Sequence, residues 1–93
     1  MKIIKRNGSE AAFDITKIIV AVSKANKEID ERQRLTNEQI RTIAANVEGA
    51  CAAMGRAASV EEIQDLVENQ IMEQGAFEVA KRYIKYRYTR ALI

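Results

Sequence analysis

Two helix-start motifs of the same kind divide the middle of this sequence and restrict what it can fold into. Thr36-Asn37-Glu38-Gln39 and Ser59-Val60-Glu61-Glu62 each place a hydroxyl residue three positions before Gln or Glu, which is the pattern of a capping box. Apolar residues at helical spacing follow each box. The first stripe contains Ile40, Ile43, Ala44, Val47, Cys51 and Met54, and the second contains Ile63, Leu66, Val67 and Ile71. Gly55 and Gly75 follow these stripes, so the pattern predicts two helices with defined ends.

Two further helices are predicted on either side of this pair. Asp14 is a residue type that caps helix N-termini, and the stripe after it contains Ile15, Ile18, Ile19, Val22, Ala25 and Ile29. The last helix is predicted from about Ala76 to the end, with an inward set of Phe77, Ala80, Tyr83, Ile84, Tyr88 and Ala91. The chain has no proline. Four helices of this length with short connections are expected to pack as a small bundle.

The segment Lys5-Arg6-Asn7-Gly8-Ser9 predicts a β-hairpin before the first helix, since Asn-Gly is the strongest short-range hairpin signal. A two-residue turn at Asn7-Gly8 would pair Ile4 with Ala11. In that register Lys5 and Arg6 point to opposite faces, because side chains alternate along a strand. The predicted fold class is therefore α+β, mostly α, with an N-terminal β-hairpin or small antiparallel sheet capping a four-helix bundle.

The composition predicts one soluble domain over residues 1–93, with 47% hydrophobic and 30% charged residues. The last helix is still in phase at residues 90–93, so we expect a domain cut from a longer chain. No apolar run is long enough for a membrane span or a signal peptide, so a membrane partner is not expected. A single cysteine, Cys51, predicts a reducing and therefore cytoplasmic location.

The missing residue types limit the chemistry that this chain can perform. It has no histidine and one cysteine, so it lacks the usual zinc ligands and any Cys-His or Ser-His pair. No Gly-rich nucleotide motif is present either. We therefore expect no catalysis by this domain alone and no structural metal. The net charge of +2 is too balanced for non-specific nucleic-acid binding, which makes a nucleic-acid partner unexpected.

Two groups of cations are the remaining candidates for binding chemistry. Lys5 and Arg6 could hold a phosphate, or they could only blunt the exposed edge of the hairpin. Lys17 lies in the first turn of a helix, where the dipole favours anions, and a bound anion nearby would relieve that conflict. The last helix carries five cations and three tyrosines over residues 81–90. That helix could cover the bundle, or it could serve a small nucleic-acid-binding or protein-interaction module.

Three segments, in this order and spacing, resemble the ATP-cone family. Ile3-Ile4-Lys5-Arg6-Asn7-Gly8 with Phe13-Asp14-x-x-Lys17-Ile18 resembles its opening, and Ser59-Val60-Glu61-Glu62-Ile63-Gln64-Asp65-Leu66-Val67-Glu68 resembles its third helix. Val79-Ala80-Lys81-Arg82-Tyr83-Ile84-x-Tyr86-Arg87-x-x-Arg90 resembles its ending. The resemblance implies a small β cap on a four-helix bundle. It also implies a regulatory module, most often found in the large subunit of ribonucleotide reductase, aerobic or anaerobic.

The resemblance further implies that ATP or dATP, with magnesium, acts as an allosteric effector of overall activity by changing the oligomeric state. The parent chain would be a ribonucleoside di- or triphosphate reductase, and its remainder and other subunits would be the partners. The family also includes a repressor with a preceding zinc ribbon, but the lack of zinc ligands favours a reductase. The implied nucleotide-binding residues are Ile3, Lys5, Arg6, Asp14, Lys17, Ile18, Val60, Gln64, Arg87 and Arg90.

Within that set, the resemblance implies a division of roles. Ile3 and Asp14 would lie near the base or ribose, and Val60 and Gln64 would line the pocket from the third helix. Phosphates would be held by Lys5, Arg6 and Lys17 and by Arg87 and Arg90 on the last helix. Some relatives carry Glu at the position of Ala11, and Thr and His at the positions of Val60 and Gln64, so the phosphate end resembles the family more closely than the base end.

Overall fold

Four helices and three short strands form the fold in the computed structural model, which describes residues 1–91 without the side chains of Arg90 and Ala91. In chain order they are β1 (Lys2–Ile4), β2 (Glu10–Ala12), α1 (Ile15–Lys27), α2 (Asn37–Ala53), β3 (Ala58–Ser59), α3 (Val60–Glu73) and α4 (Phe77–Ala91). A short 3₁₀ turn, Glu31–Gln33, lies in the connection between α1 and α2. The predicted fold class is confirmed. The predicted continuation of α4 through Leu92 and Ile93 lies outside the described residues.

The helix starts are where the capping residues predict them. The Asp14 carboxylate accepts a hydrogen bond of 3.0 Å from the Thr16 backbone N–H at the start of α1. At α2 and α3, both capping boxes are complete, with the hydroxyls of Thr36 and Ser59 each accepting from the third helical residue and that residue's side chain accepting in return. These local bonds satisfy N–H groups that have no partner within the helix.

The core lies between the four helices, each of which packs against two others. Helix α1 packs on α2 and α4, and α3 packs on the same two helices from the other side. The largest fully buried side chains come from all four helices: Ile43, Ile71, Val22, Val47, Val67, Val79 and Cys51. Ile3 from β1 and Phe13 from the turn into α1 pack against this core, so the sheet is fixed to the bundle.

The hairpin forms, but its predicted register is wrong by one residue. Ile4 pairs with Glu10 rather than with Ala11. The Lys5 carbonyl accepts from the Gly8 N–H at 2.9 Å, and the Lys5 N–H donates to the Ser9 carbonyl at 2.8 Å, which leaves a three-residue loop. Gly8 adopts the left-handed conformation with φ of 87° that this loop type requires. Arg6 therefore lies in the turn, where strand alternation does not apply.

A third strand completes the sheet, and neither its position nor its parallel pairing was predicted from the sequence. Its order is β2-β1-β3, with β3 parallel to β1 and Ile4 opposite Ser59. Because Ser59 is also the N-cap of α3, this pairing places the first turn of α3 directly beside the hairpin. The arrangement brings residues that are more than fifty positions apart in sequence to one side of the fold.

Two inward positions differ from the predicted apolar stripes. On α4, Phe77 and Tyr88 are each 61% exposed, whereas Val79, Ala80, Tyr83 and Arg87 are buried. The inward face of α4 is therefore rotated from the predicted one, and it includes a charged residue.

On α1, the buried Asn26 side chain donates to the Leu35 carbonyl at 2.9 Å and accepts from the Leu35 N–H at 2.8 Å. This pair of bonds fixes the α1–α2 connection against the core.

Candidate functional site

A cleft of about 750 Å³ lies where the hairpin, α1, the start of α3 and α4 meet. Protein sites for small ligands usually have volumes of roughly 300–1,000 Å³. The hairpin and the turn into α1 contribute Ile3, Lys5, Arg6, Asn7, Ala12, Phe13 and Asp14 to its lining. The helices contribute Thr16, Lys17, Ile18, Val20, Ala21, Lys24, Val60, Ile63, Gln64, Tyr83 and Tyr86.

Eight of the ten residues predicted to bind nucleotide line this single cleft. They come from β1, the hairpin loop, α1 and α3: Ile3, Lys5, Arg6, Asp14, Lys17, Ile18, Val60 and Gln64. Whether they bind a nucleotide stays a prediction. Of the other two, Arg87 is not among the lining residues. The side chain of Arg90 lies outside the described residues, although its backbone belongs to α4.

The charges on the cleft wall favour an anionic ligand. Lys5, Arg6, Lys17 and Lys24 line it, and Asp14 is the one carboxylate among the described lining residues. Asp14 also caps α1 through its bond to the Thr16 N–H. A concave surface with one sign of charge concentrates ligands of the opposite sign.

Aliphatic and aromatic side chains line the same cleft beside these cations. Ile3, Phe13 and Val60 are half-buried in the protein, and Tyr83 is 5% exposed. Burial raises the pKa of the Tyr83 hydroxyl to about 12, so it stays protonated at neutral pH. A cleft with an apolar wall and a cationic rim suits a ligand that joins a flat ring system to a phosphate chain.

The Arg6 guanidinium is held at the edge of the cleft by α3. Its Nε donates to Glu61 Oε1 at 2.9 Å, and its Nη2 donates to Gln64 Oε1 at 3.1 Å. The side chain remains 40% exposed. Arg6 can reach these two side chains because the β1–β3 pairing places the first turn of α3 beside the hairpin loop.

Arg87 is buried against three carboxylates of α3 instead of facing the cleft. Nη1 donates at 2.7 Å to both Asp65 and Glu68, and Nη2 donates at 2.8 Å to Glu61 Oε2. Burial by itself lowers the pKa of Arg87, but the hydrogen bonds to these three carboxylates outweigh it and the pKa is raised. The bonds from Arg87 first, and then from Arg6, lower the pKa of Glu61. Arg87 and Glu61 are therefore both charged at neutral pH.

The structure adds cleft residues that the sequence interpretation did not assign to the site. Lys24 lines the cleft, and it is seven residues after Lys17 and therefore on the same face of α1. This seven-residue spacing is the sequence signal that could have added Lys24 to the predicted site. Tyr86 and Phe13 also line the cleft, although neither is in the predicted set of nucleotide-binding residues. Among the described residues, no group of three or more metal-ligating side chains is found.

No helix in the described part of the chain has the length and apolar character that a membrane crossing needs.

Comparison with known proteins identifies the family. The model of the ATP cone domain family matches residues 1–92. Ribonucleoside-diphosphate reductase subunit alpha of Chlamydia trachomatis serovar D is 34% identical over 101 residues, which cover all of this chain and 10% of that protein. The anaerobic ribonucleoside-triphosphate reductase of Haemophilus influenzae is 36% identical over 90 residues, covering 97% of this chain and 12% of that protein.

A third type of reductase is similar to the same extent. The vitamin B12-dependent ribonucleoside-diphosphate reductase of Mycobacterium tuberculosis is 39% identical over 93 residues, covering 97% of this chain and 12% of that protein. The chain spans about a tenth of the length of these curated relatives. Since the family model matches almost every residue, the chain belongs to the ATP-cone family.

Proposed function

We propose that this chain is the regulatory region of a ribonucleotide reductase and binds ATP or dATP in the cleft beside the hairpin. The cleft itself carries the proposal, because four cationic side chains, one carboxylate and an apolar wall line one space of suitable volume. Membership of the ATP-cone family supports the choice of an adenine nucleotide. Magnesium would arrive with the phosphates, since the described residues offer no cluster of their own for it.

We assign each part of the nucleotide to a part of the cleft wall. Lys5, Arg6, Lys17 and Lys24 would hold the phosphates, and Arg90 remains a predicted phosphate ligand. Ile3, Ile18 and Val60 would contact the base, with Gln64 as a polar partner and Asp14 near the ribose or base. The contribution of Arg87 would be indirect, because its donors are already bound to carboxylates.

The domain would act by binding alone. A ligand shifts a conformational equilibrium only through different affinities for the two states, so ATP and dATP must stabilise different surfaces of the domain to control the rest of the enzyme. A change in oligomeric state is the output that we propose. The relatives act on ribonucleoside diphosphates or triphosphates, as their names state, and the remainder of such a cytoplasmic enzyme would be the partner.

Isothermal titration calorimetry with ATP and dATP, with magnesium present, tests the proposal. We expect saturable binding, and we expect Lys17→Ala to weaken it about tenfold because a charged hydrogen bond is lost. Lys27→Ala is the matched control, since it removes the same charge from the same helix outside the cleft lining. Binding should be unchanged in that variant.

Two results would contradict the proposal. One is the absence of saturable binding of either nucleotide at millimolar concentration. The other is tight binding to mixed-sequence oligonucleotides with a steep dependence on salt, which would favour a nucleic-acid module on the last helix. The burial of Arg87 counts against that alternative, because its charge is already compensated inside the protein.

A further inference from the structure

Glu61 is a carboxylate shared by two arginines from distant parts of the chain. Its Oε1 accepts from Arg6 in the hairpin loop at 2.9 Å, and its Oε2 accepts from Arg87 on α4 at 2.8 Å. Glu61 itself lies in the first turn of α3 and is 56% exposed. It does not line the cleft, but it contacts a residue that does.

The bonds to α3 use one edge of the Arg6 guanidinium and leave the other edge available. A guanidinium has five N–H donors in a planar fork, and Glu61 and Gln64 take one from Nε and one from Nη2. Nε and Nη2 share one edge of the fork. Among the side chains that the structure describes, none accepts a bond from Nη1 of Arg6. The edge formed by Nη1 and the second hydrogen of Nη2 can therefore bind a phosphate in the bidentate manner that arginine favours.

Arg87 holds Glu61 in this position from the other side. The Arg87 side chain is 9% exposed and is fixed by two 2.7 Å bonds to Asp65 and Glu68. It also donates to the Glu61 backbone carbonyl at 3.3 Å, so both ends of the Glu61 residue are bound. An exposed glutamate would otherwise sample several rotamers. The buried arginine thus restricts a surface carboxylate, which in turn restricts Arg6.

We propose that Glu61 is a positioning residue that fixes the Arg6 guanidinium with its free edge towards the phosphates, and that Arg87 acts through Glu61. This inference rests on the proposed function. A long side chain that is already ordered before the ligand arrives loses less conformational entropy on binding, so the affinity is higher. The opposite effect, in which Glu61 competes with phosphate for Arg6, would require the ligand to use the Nε edge.

Calorimetry on Glu61→Ala and on Glu61→Gln separates these effects. We expect ATP to bind about tenfold more weakly to Glu61→Ala than to the unmodified chain, which corresponds to the ordering of one flexible side chain. Glu61→Gln keeps the side-chain volume and one acceptor oxygen, so its affinity for ATP should lie between those of Glu61→Ala and the unmodified chain. Glu73→Ala removes a carboxylate from the far end of the same helix, outside the cleft lining, and should bind ATP normally.

A double-mutant cycle with Arg6→Ala decides whether Glu61 acts through Arg6. If it does, Glu61→Ala should have no further effect in the Arg6→Ala background. A general structural effect would lower the affinity equally in both backgrounds and would overturn the inference. Unchanged or tighter ATP binding to Glu61→Ala would also overturn it, while leaving the proposed function intact. If the unmodified chain binds no nucleotide, the proposed function fails and this inference fails with it.

Discussion

The guanidinium of Arg87 lies inside the fold because three carboxylates of α3 compensate its charge. A buried ion pair stabilises a protein only where geometry and additional hydrogen bonds offset the loss of water. Here the planar fork donates to Glu61, Asp65 and Glu68 at 2.7–2.8 Å. A lysine ammonium could not span these partners with the same fixed geometry. These bonds join α3 to α4 at a residue that does not line the cleft.

Gly49 and Gly55 give a matched pair of predictions for stability. Gly49 lies inside α2 with open space where a Cβ would be added, so Gly49→Ala should raise the free energy of unfolding by about 0.5–1 kcal/mol. Gly55 has φ of 70°, so Gly55→Ala should lower it by about 1 kcal/mol despite the same open space. Urea unfolding followed by circular dichroism measures both. A destabilising Gly49→Ala would contradict the argument.

Eight residues of the cleft lining were predicted, partly from local sequence signals and partly, for Ile3, Ile18, Val60 and Gln64, only from the resemblance to the ATP-cone family. Lys5 and Arg6 adjoin the turn signal, Asp14 is the N-cap of α1, and Lys17 lies in the first turn of that helix. The position of Arg87 could not be predicted in this way, because its partners belong to another helix and spacing along α4 gives no information about them. The resemblance implied that Arg87 holds a phosphate, whereas tertiary pairing buries it against carboxylates of α3.

The hairpin shows how one residue in a turn changes the geometry of a site. Asn-Gly suits both a two-residue loop and a three-residue loop in which only the glycine has positive φ. The sequence alone did not separate them, and the predicted two-residue register placed Lys5 and Arg6 on opposite faces. In the observed loop Arg6 leaves the strand, and both cations line the cleft. The same uncertainty did not affect the helix starts, because capping boxes depend on local spacing.

The start of α3 should make the stability of the protein depend on pH. Glu62 accepts from Arg56 at 2.6 Å and 2.9 Å and from the Ser59 N–H at 3.0 Å. The hydrogen bonds from Arg56 first, and then from the Ser59 backbone, lower the pKa of Glu62 from 4.5 to about 2. A lowered pKa stabilises the folded state above the unfolded-state value. That contribution disappears as the pH falls from about 5 towards 2.

Thermal unfolding of the unmodified chain and of Glu62→Gln between pH 7 and pH 2.5 measures this contribution. The unmodified chain should be more stable than Glu62→Gln at pH 7. This gap in stability should fall by pH 3 to less than roughly half of its value at pH 7. Arg56→Met removes the main partner and should reduce the gap at neutral pH. A gap that stays constant over this range would show that Glu62 does not titrate differently in the folded and unfolded states.

In the whole molecule, the cleft joins elements that are distant in sequence. Its walls come from the hairpin, α1, α3 and α4, and the sheet is held to the bundle mainly by Ile3, Phe13 and the two-residue strand β3. A ligand that contacts all four walls would add bonds between the hairpin and the bundle. Small elements with few buried contacts open at lower free energy than the core. We therefore expect the hairpin to gain the most protection from a nucleotide.

Nucleotide binding should raise the stability of the whole chain by an amount that salt reduces. At about 100 times its dissociation constant, ATP should add roughly 2.7 kcal/mol to the free energy of unfolding. For a chain of this size that corresponds to a rise in melting temperature of about 10 °C or more. Because the cations of the cleft are largely exposed, raising sodium chloride from 50 to 300 mM should weaken binding and shrink the rise at fixed ATP. Differential scanning fluorimetry measures both effects. Lys17→Ala should show a smaller rise and Lys27→Ala an unchanged one, whereas equal rises in the two variants would place the phosphates away from this cleft.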